Sequence, residues 1–182
     1  VRQMRDIVAD GLRAGALGFT TSRTSLHKSA AGNFVAGTFA ARQEIEGICK
    51  ALVDVGHGLF SVANEHFKMK EDIDWLHDLA RDNGHKVIFN LSQTDFTPTL
   101  WKELLEGLER SQAEGVPLFA QSAGRAIGVL MSWRTTAHPF ALHPSFQALA
   151  ERPWEEQLAT LRDPAFKAKL LAEAPEQRGV FE

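Results

Sequence analysis

The sequence predicts an α/β fold in which about four parallel strands alternate with helices and a helical C-terminal segment follows. Short apolar runs typical of buried strands alternate with segments of helical periodicity. Strands predicted to start near residues 59, 87 and 117 recur at the spacing of right-handed βα units. Glycine and proline mark the ends of these segments. Together these patterns predict a parallel βα array.

The first helix and strand come before residue 22. The apolar positions of this predicted helix recur at helical spacing and are Met4, Ile7, Val8 and Leu12. Gly15 is expected to end the helix, and the apolar run ALGFTTS then predicts a strand. Residues 22–37 are polar and contain glycine, which predicts a loop longer than a plain connector. Such loops often carry function.

Three further helix and strand pairs follow. Thr38 predicts the start of a helix before the strand GLFSVA, and its apolar face is Ile45, Ile48, Cys49 and Leu52. The helix before the strand KVIFNLS has the apolar stripe Ile73, Leu76, Leu79 and Ala80. The last helix, with Pro98 in its first turn, precedes the strand VPLFAQS and has the stripe Trp101, Leu104, Leu105 and Leu108.

The pattern changes at residue 122, which divides the chain. Residues 1–121 are predicted to form half-barrel βα units, and residues 122–182 a loop and short-helix insertion or extension. Four strands amount to about half of a (β/α)8 barrel, which typically takes about 250 residues. The chain also begins inside a helical pattern without Met and ends where an apolar segment begins. We therefore expect a partial barrel and not a complete domain, with a small doubly wound sheet as the alternative.

Composition excludes several classes of function. Twenty Lys and Arg residues against 23 Asp and Glu residues give a net charge of -3, which offers no basic field for nucleic acid. No apolar run is long enough to span a bilayer, so no membrane partner is expected. The single Cys49 allows neither an intramolecular disulfide nor a cysteine metal cluster. A reducing, cytoplasmic location fits this pattern best.

Candidate site residues lie where ligands meet parallel βα arrays, just past the carboxyl ends of the strands. The polar side chains there are Ser22, Arg23, Ser25 and His27, then Asn64, Glu65 and His66, then Asn90, Ser92, Gln93 and Asp95, and finally Gln121, Ser122 and Arg125. Glu65 and Asp95 are a candidate acid and base pair, with rim charges as the alternative. His57 and His85 precede their strands, and we expect structural or solvent roles for them.

Four runs of the sequence, which together extend over most of the chain, resemble a known family. They are GALGFTTSRTSLHKSAAGNFVAGTFAARQEIEGICKAL, GRAIGVLMSW, TAHPFALHPSF and LRDPAFKAKLLAE. The chain resembles the middle of the N-acyl-D-amino-acid deacylases, or D-aminoacylases, of the amidohydrolase superfamily. This resemblance implies strands four to seven of a TIM (β/α)8 barrel. It also implies a metal-dependent hydrolase in which zinc activates water to cleave N-acyl-D-amino acids into a D-amino acid and a carboxylate.

Two zinc ligands of the family should lie inside the chain, and here the sequence departs from the pattern. The family histidines after the fifth and sixth strands fall near Ala63 and Leu91, neither of which can ligate a metal. His66 is the weak candidate to substitute. The resemblance thus implies zinc in the parent enzyme, with its other ligands outside this chain and none bound by this fragment. The catalytic residues remain unknown.

The first hypothesis is therefore an inactive central fragment of a deacylase-like amidohydrolase that contributes a substrate-binding wall for a small N-acyl amino acid. Arg23 is the candidate for the substrate carboxylate, because a guanidinium binds that group in a bidentate manner. The other substrate-binding candidates are Ser25, His27, Asn90 and Gln93. A second hypothesis is a metal-free, barrel-derived binding or assembly protein, and a third is an independent α/β domain. Exposed sheet edges predict a homo-oligomer.

Overall fold

The computed structural model describes residues 1–29, 31–94, 97–126, 128–135 and 138–176. Parallel strands alternate with helices, which confirms the predicted α/β class. The strands are β1 (Gly18–Arg23), β2 (Leu59–Asn64), β3 (Lys86–Asn90) and β4 (Leu118–Gln121). The helices are α1 (Arg2–Arg13), α2 (Arg42–Val55), α3 (Met69–Asn83), α4 (Leu100–Ala113), α5 (Pro144–Ala150), α6 (Trp154–Leu161) and α7 (Pro164–Ala172).

The chain divides into two compact units, Val1–Ile127 and Gly128–Glu182. The sequence places this division at residue 122. The first unit holds the sheet and helices α1 to α4, and the second holds helices α5 to α7. None of the helices within the described ranges is long and apolar enough to cross a membrane.

The sheet has the order β1, β2, β3, β4, with every neighbouring pair parallel. Alternate residues of a strand point to opposite faces, so the register sorts the side chains into two sets. The helix-facing set contains the rows Phe19, Phe60, Val87, Leu118 and Thr21, Val62, Phe89, Ala120. Five of these side chains belong to the buried core: Phe60, Val62, Val87, Phe89 and Leu118.

The opposite side of the sheet is here called the open face. Its rows are Thr20, Ser61, Ile88, Phe119 and, at the carboxyl ends of the strands, Ser22, Ala63, Asn90, Gln121. All of these residues are half-buried or exposed. The sheet is therefore apolar towards its helices and mixed in polarity on the open face.

The predicted apolar stripes of α2 and α3 are confirmed, since all their members are buried. In α4 Leu104 is buried, and the other predicted positions are half-buried. The stripe predicted for α1 is wrong in part, because Met4 and Ile7 are exposed while Ala9 and Leu12 are buried. Helix α1 packs chiefly against α2, so only a narrow face of it is covered.

Two helices begin later in the structure than the sequence predicts. Helix α2 begins at Arg42, because the segment before it forms turns in which the Thr38 hydroxyl donates to the Val35 carbonyl oxygen at 2.8 Å. Helix α4 begins at Leu100 instead of at Pro98. In both cases a residue that favours a helix start lies in the turn just before the helix.

Candidate functional site

The carboxyl ends of β1 and β2 lie side by side, with Ser22 opposite Ala63 and Arg23 opposite Asn64. Because alternate side chains take opposite faces, Ser22 belongs to the open face and Arg23 to the helix-facing side. The two residues that are adjacent in sequence therefore enter different environments.

Arg23 enters a charged cluster between the sheet and the helices. Its Nη1 donates to Asp72 Oδ2 at 3.0 Å, and its guanidinium carbon lies 5.0 Å from the Trp75 ring centroid. Arg42 donates from Nη2 to Asp72 Oδ1 at 2.9 Å and lies 5.5 Å from the same ring. The Trp75 indole N–H donates to Glu46 Oε1 at 2.8 Å. Asp72 thus joins two guanidiniums that share one aromatic ring.

The Arg23 guanidinium uses only some of its N–H groups in hydrogen bonds within the described residues. Within the described ranges, only Nη1 of Arg23 has a hydrogen bond, and the buried Nε has no partner there. The Arg23 side chain is 20% exposed. Sequence reasoning selects Arg23 as the candidate for the substrate carboxylate, with a solvated loop charge as the alternative, and misses Asp72. Asp72 is an acidic residue in the first turn of α3, where carboxylates are common for helix-dipole reasons alone.

Ser25 and Glu65 join the loop after β1 to the end of β2. The backbone N–H and the hydroxyl of Ser25 donate to Glu65 Oε2 at 3.0 and 2.9 Å. The Thr24 hydroxyl donates to the same oxygen at 3.3 Å, and Thr24 is buried. The other carboxylate oxygen, Oε1, is buried without a hydrogen-bond partner in the described part of the chain. Three donors on one oxygen fix the carboxylate in place.

His27 forms a hydrogen bond with Ser22 across a short turn. Ser22 Oγ and His27 Nδ1 are 2.6 Å apart, His27 is exposed and Ser22 is half-buried. In the neutral imidazole with its proton on Nε2, Nδ1 accepts the Ser22 hydroxyl proton. Sequence reasoning places both residues after the first strand but does not pair them.

Asn90 and Gln93 lie at the end of β3. Asn90 is exposed in the carboxyl-end row of the open face, and its backbone N–H donates to Asn64 Oδ1 at 3.0 Å. Gln93 is exposed in the segment after the strand. Asp95, the predicted partner of Glu65, lies outside the described residues. Ser22 and Asn90 thus share the open face, whereas Arg23 is directed to the other side of the sheet.

The residues at the expected zinc positions do not fit zinc. Ala63 occupies the open face at the end of β2, and Leu91 is half-buried and packs against the core. His66 lies in a 3-10 turn, His66–Lys68, where desolvation lowers its pKa and the charge of Glu65 opposes that effect. Across the described ranges, no group of three or more His, Cys, Asp or Glu residues is arranged to hold a metal ion.

His77 and His138 fit structural roles. His77 Nδ1 and the buried Ser111 Oγ are 2.9 Å apart, as expected for a partly buried histidine satisfied by hydrogen bonding. In the second unit, the His138 ring packs edge to face on Phe146 with centroids 4.4 Å apart. Desolvation lowers the pKa of His138, and the neighbouring His143 lowers it further. These neighbours favour a neutral packing role for His138.

Comparisons of the chain with protein-family models, with curated proteins and with solved structures found no significant match.

Proposed function

We propose that this chain is the central part of an N-acyl-D-amino-acid deacylase-like amidohydrolase and forms half of a TIM (β/α)8 barrel. One observation supports this most: three of the four residues in the open-face row at the carboxyl ends of the strands are polar, namely Ser22, Asn90 and Gln121. In a closed barrel that face lines the interior, and its carboxyl end is where active sites are built. Helices cover the opposite face, as a barrel requires.

The chain contributes hydrogen-bonding groups to an N-acyl amino acid. Asn90 and Gln93 offer amide donors and acceptors, and His27 offers a ring nitrogen at the same end of the sheet. Ser25 is bound to Glu65 and positions the loop that carries His27. Arg23 provides positive charge behind the strand ends, where Asp72 holds its guanidinium on the helix-facing side of the sheet.

Zinc is not assigned to this chain, because Ala63 and Leu91 occupy the expected ligand positions. The role of the chain is therefore confined to holding the N-acyl amino acid. Hydrolysis of N-acyl amino acids by the chain alone is not expected. Metal ligands and the catalytic aspartate of such an enzyme would come from the rest of the barrel.

The test uses the protein encoded by the complete reading frame. Titration calorimetry with N-acetyl-D-leucine and its L enantiomer should show preferential binding of the D form. Asn90→Ala should weaken that binding about tenfold, consistent with the loss of a ligand hydrogen bond of about 1.4 kcal/mol. Asn83→Ala, at the end of α3, is the matched control. Equal binding of both enantiomers, or an unchanged affinity in Asn90→Ala, would count against the proposal.

The second candidate is a metal-free binding or assembly protein, and the residues Ala63 and Leu91 favour it specifically. Elemental analysis of the purified full-length protein separates the two candidates. Stoichiometric zinc together with release of free D-amino acid supports the hydrolase. Binding of the N-acyl amino acid with neither zinc nor turnover supports the binding protein.

We further propose that copies of the chain associate through the exposed edges of β1 and β4 and that the protein functions in the cytoplasm. The first part is supported by the sheet order, which leaves these two strands with one hydrogen-bonded neighbour each within the described sheet. The second part is supported by the buried, unpaired Cys49, which is typical of a reducing compartment.

A further inference from the structure

The hydrogen bond between Ser22 and His27 brings together a hydroxyl and an imidazole nitrogen in the geometry of a nucleophile and its base. The distance of 2.6 Å between Ser22 Oγ and His27 Nδ1 lies within the range required for proton transfer. The other two hydroxyl groups of this turn, on Thr24 and Ser25, do not compete with Ser22 for His27, because both donate to Glu65.

The loop that carries His27 is held at several points. Its first turn is fixed by the Leu26 backbone N–H, which donates to Thr24 Oγ1 at 3.2 Å. The Val35 N–H donates to the His27 carbonyl oxygen at 3.5 Å, and Lys28 forms an antiparallel bridge with Phe34. These contacts and the Glu65 carboxylate fix both ends of the turn that separates Ser22 from His27. The pair is therefore part of an organised loop.

Ser22 also lies on the open face of the sheet. It lies at the carboxyl end of β1 in the row that contains Asn90 and Gln121. Its neighbour across the β1–β2 pair is Ala63, whose methyl group leaves room beside the hydroxyl. His27 is exposed and Ser22 is half-buried, so both residues keep surface that solvent can reach.

We propose that Ser22 is a nucleophile that accepts the acyl group of small carboxylic esters, with His27 as its general base. Ser22 Oγ attacks the ester carbonyl carbon while Nδ1 of His27 takes the hydroxyl proton. The bond from that carbon to the alcohol oxygen then breaks, and His27 returns the proton to the leaving alkoxide. Attack of water on the acyl-serine releases the carboxylic acid and restores the Ser22 hydroxyl.

This activity goes beyond the proposed deacylase function and requires no metal. It concerns a bond to a serine of this chain, whereas the proposed function concerns recognition of N-acyl-D-amino acids by the barrel as a whole. The two fail separately. Covalent labelling of Ser22 can occur without binding of N-acetyl-D-leucine, and that binding can occur without labelling.

The experiment treats the folded chain with a fluorophosphonate, which transfers its phosphonyl group to an activated serine and releases fluoride. Intact-mass spectrometry should show one adduct per chain, and peptide mapping should place it on Ser22. Ser22→Ala should abolish the adduct, and His27→Gln should slow its formation by about 100-fold, as expected for loss of a general base. Ser29→Ala, an exposed serine of the same loop, is the control and should label at the unaltered rate.

A second readout uses p-nitrophenyl acetate and measures a burst of one equivalent of p-nitrophenolate per chain. His27 is exposed, so His27→Gln is expected to fold and keeps the test valid even where Ser22→Ala does not. The proposal is overturned by absence of label on Ser22, by an unchanged rate in His27→Gln, or by equal labelling of the chain unfolded in urea.

Discussion

Asp72 balances the charge of the residues around Trp75 and therefore controls how Arg23 is held. Its side chain is 10% exposed and accepts hydrogen bonds from Arg23 and Arg42. Arg42 is more exposed and can turn to water, whereas Arg23 is largely buried. Removing the carboxylate charge therefore leaves Arg23 as a buried cation without a counter-ion, which is costly.

Asp72→Asn is expected to lower the free energy of unfolding by about 3 kcal/mol, the cost typical of breaking a buried ion pair on one side. Urea denaturation followed by circular dichroism measures it. Asp74→Asn is the control, because Asp74 is 86% exposed and two residues away on the same helix. Its expected effect stays within about 0.5 kcal/mol. Equal effects of the two substitutions would show that Asp72 does not carry the charge balance of Arg23.

Cys49 is a second residue whose chemistry is set by burial. It is fully buried, and desolvation raises the pKa of its thiol to about 12 from 9.0, with a further contribution from the Glu46 charge. The neutral thiol is thus favoured in the folded state. This contribution to stability is fully present below about pH 9 and is lost as the pH rises towards about 12.

The native chain is accordingly expected not to react with Ellman's reagent at pH 8, because the thiolate is the reactive form and is scarcely populated. One equivalent should react once guanidinium unfolds the chain. Absorbance of the released thionitrobenzoate gives both numbers, and Cys49→Ala supplies the blank. Rapid reaction of the folded chain would show that Cys49 is not held in the core.

The orientations and partners of individual residues are the part of the site that the sequence does not predict. From their position at the end of the first predicted strand, sequence reasoning correctly places Ser22, Ser25 and His27 at one end of the sheet. It does not reveal that Ser22 and Arg23 face opposite ways, because the exact strand register decides which residue meets the helices. Nor does it reveal Asp72, which comes from a helix nearly fifty residues away and is brought to Arg23 only by folding.

The pairing of β1 with β2 depends on the absence of a side chain at Gly18. A Cβ placed there would lie 2.2 Å from the Leu59 carbonyl oxygen and 3.0 Å from the Leu59 side chain. The first of these contacts is with backbone, so a side-chain rotation cannot relieve it. The strands would have to separate locally at the first residue pair of their register.

Gly18→Ala is therefore expected to lower the free energy of unfolding by about 2 kcal/mol, a cost typical of overpacking. Gly11→Ala in α1 provides the control, since a Cβ there meets nothing within 4 Å. It should raise stability by up to about 1 kcal/mol through helix propensity. Thermal unfolding of the two variants gives the comparison, and a stable Gly18→Ala variant would contradict the tight approach of β1 to β2.

At the element scale, the sequence predicts the order and type of the helices and strands in the sheet well, because the chain repeats one pattern four times. The stripes of α2 and α3 are buried on one face and therefore leave a clear helical period. Helix starts are predicted less well. Thr38 and Pro98 favour the first turn of a helix, yet both lie in turns whose hydrogen bonds involve residues outside the helix.

At the scale of the whole molecule, the described sheet has an open face and two edge strands. Thr20 and Phe119 are exposed on the open face. The edge strands are β1 and β4, whose outward backbone groups have no partner strand in the described sheet. Four parallel strands, the number that the sequence predicts, are half of what a (β/α)8 barrel contains.

Copies of the chain are expected to associate through the edges of the sheet. Light-scattering chromatography of the chain is expected to give the mass of a dimer or higher oligomer, because unpaired parallel strands are templates for further pairing. Thr20→Lys places a charge on edge strand β1 and on the open face, and it should shift the chain to the monomer mass. Val53→Lys adds the same charge at an exposed position of α2 and should leave the oligomer intact. The edges are ruled out as the contact if the unaltered chain is a monomer at about 50 μM. Equal effects of both substitutions would also rule them out, since of the two residues only Thr20 lies on a strand edge to which a neighbouring strand can pair.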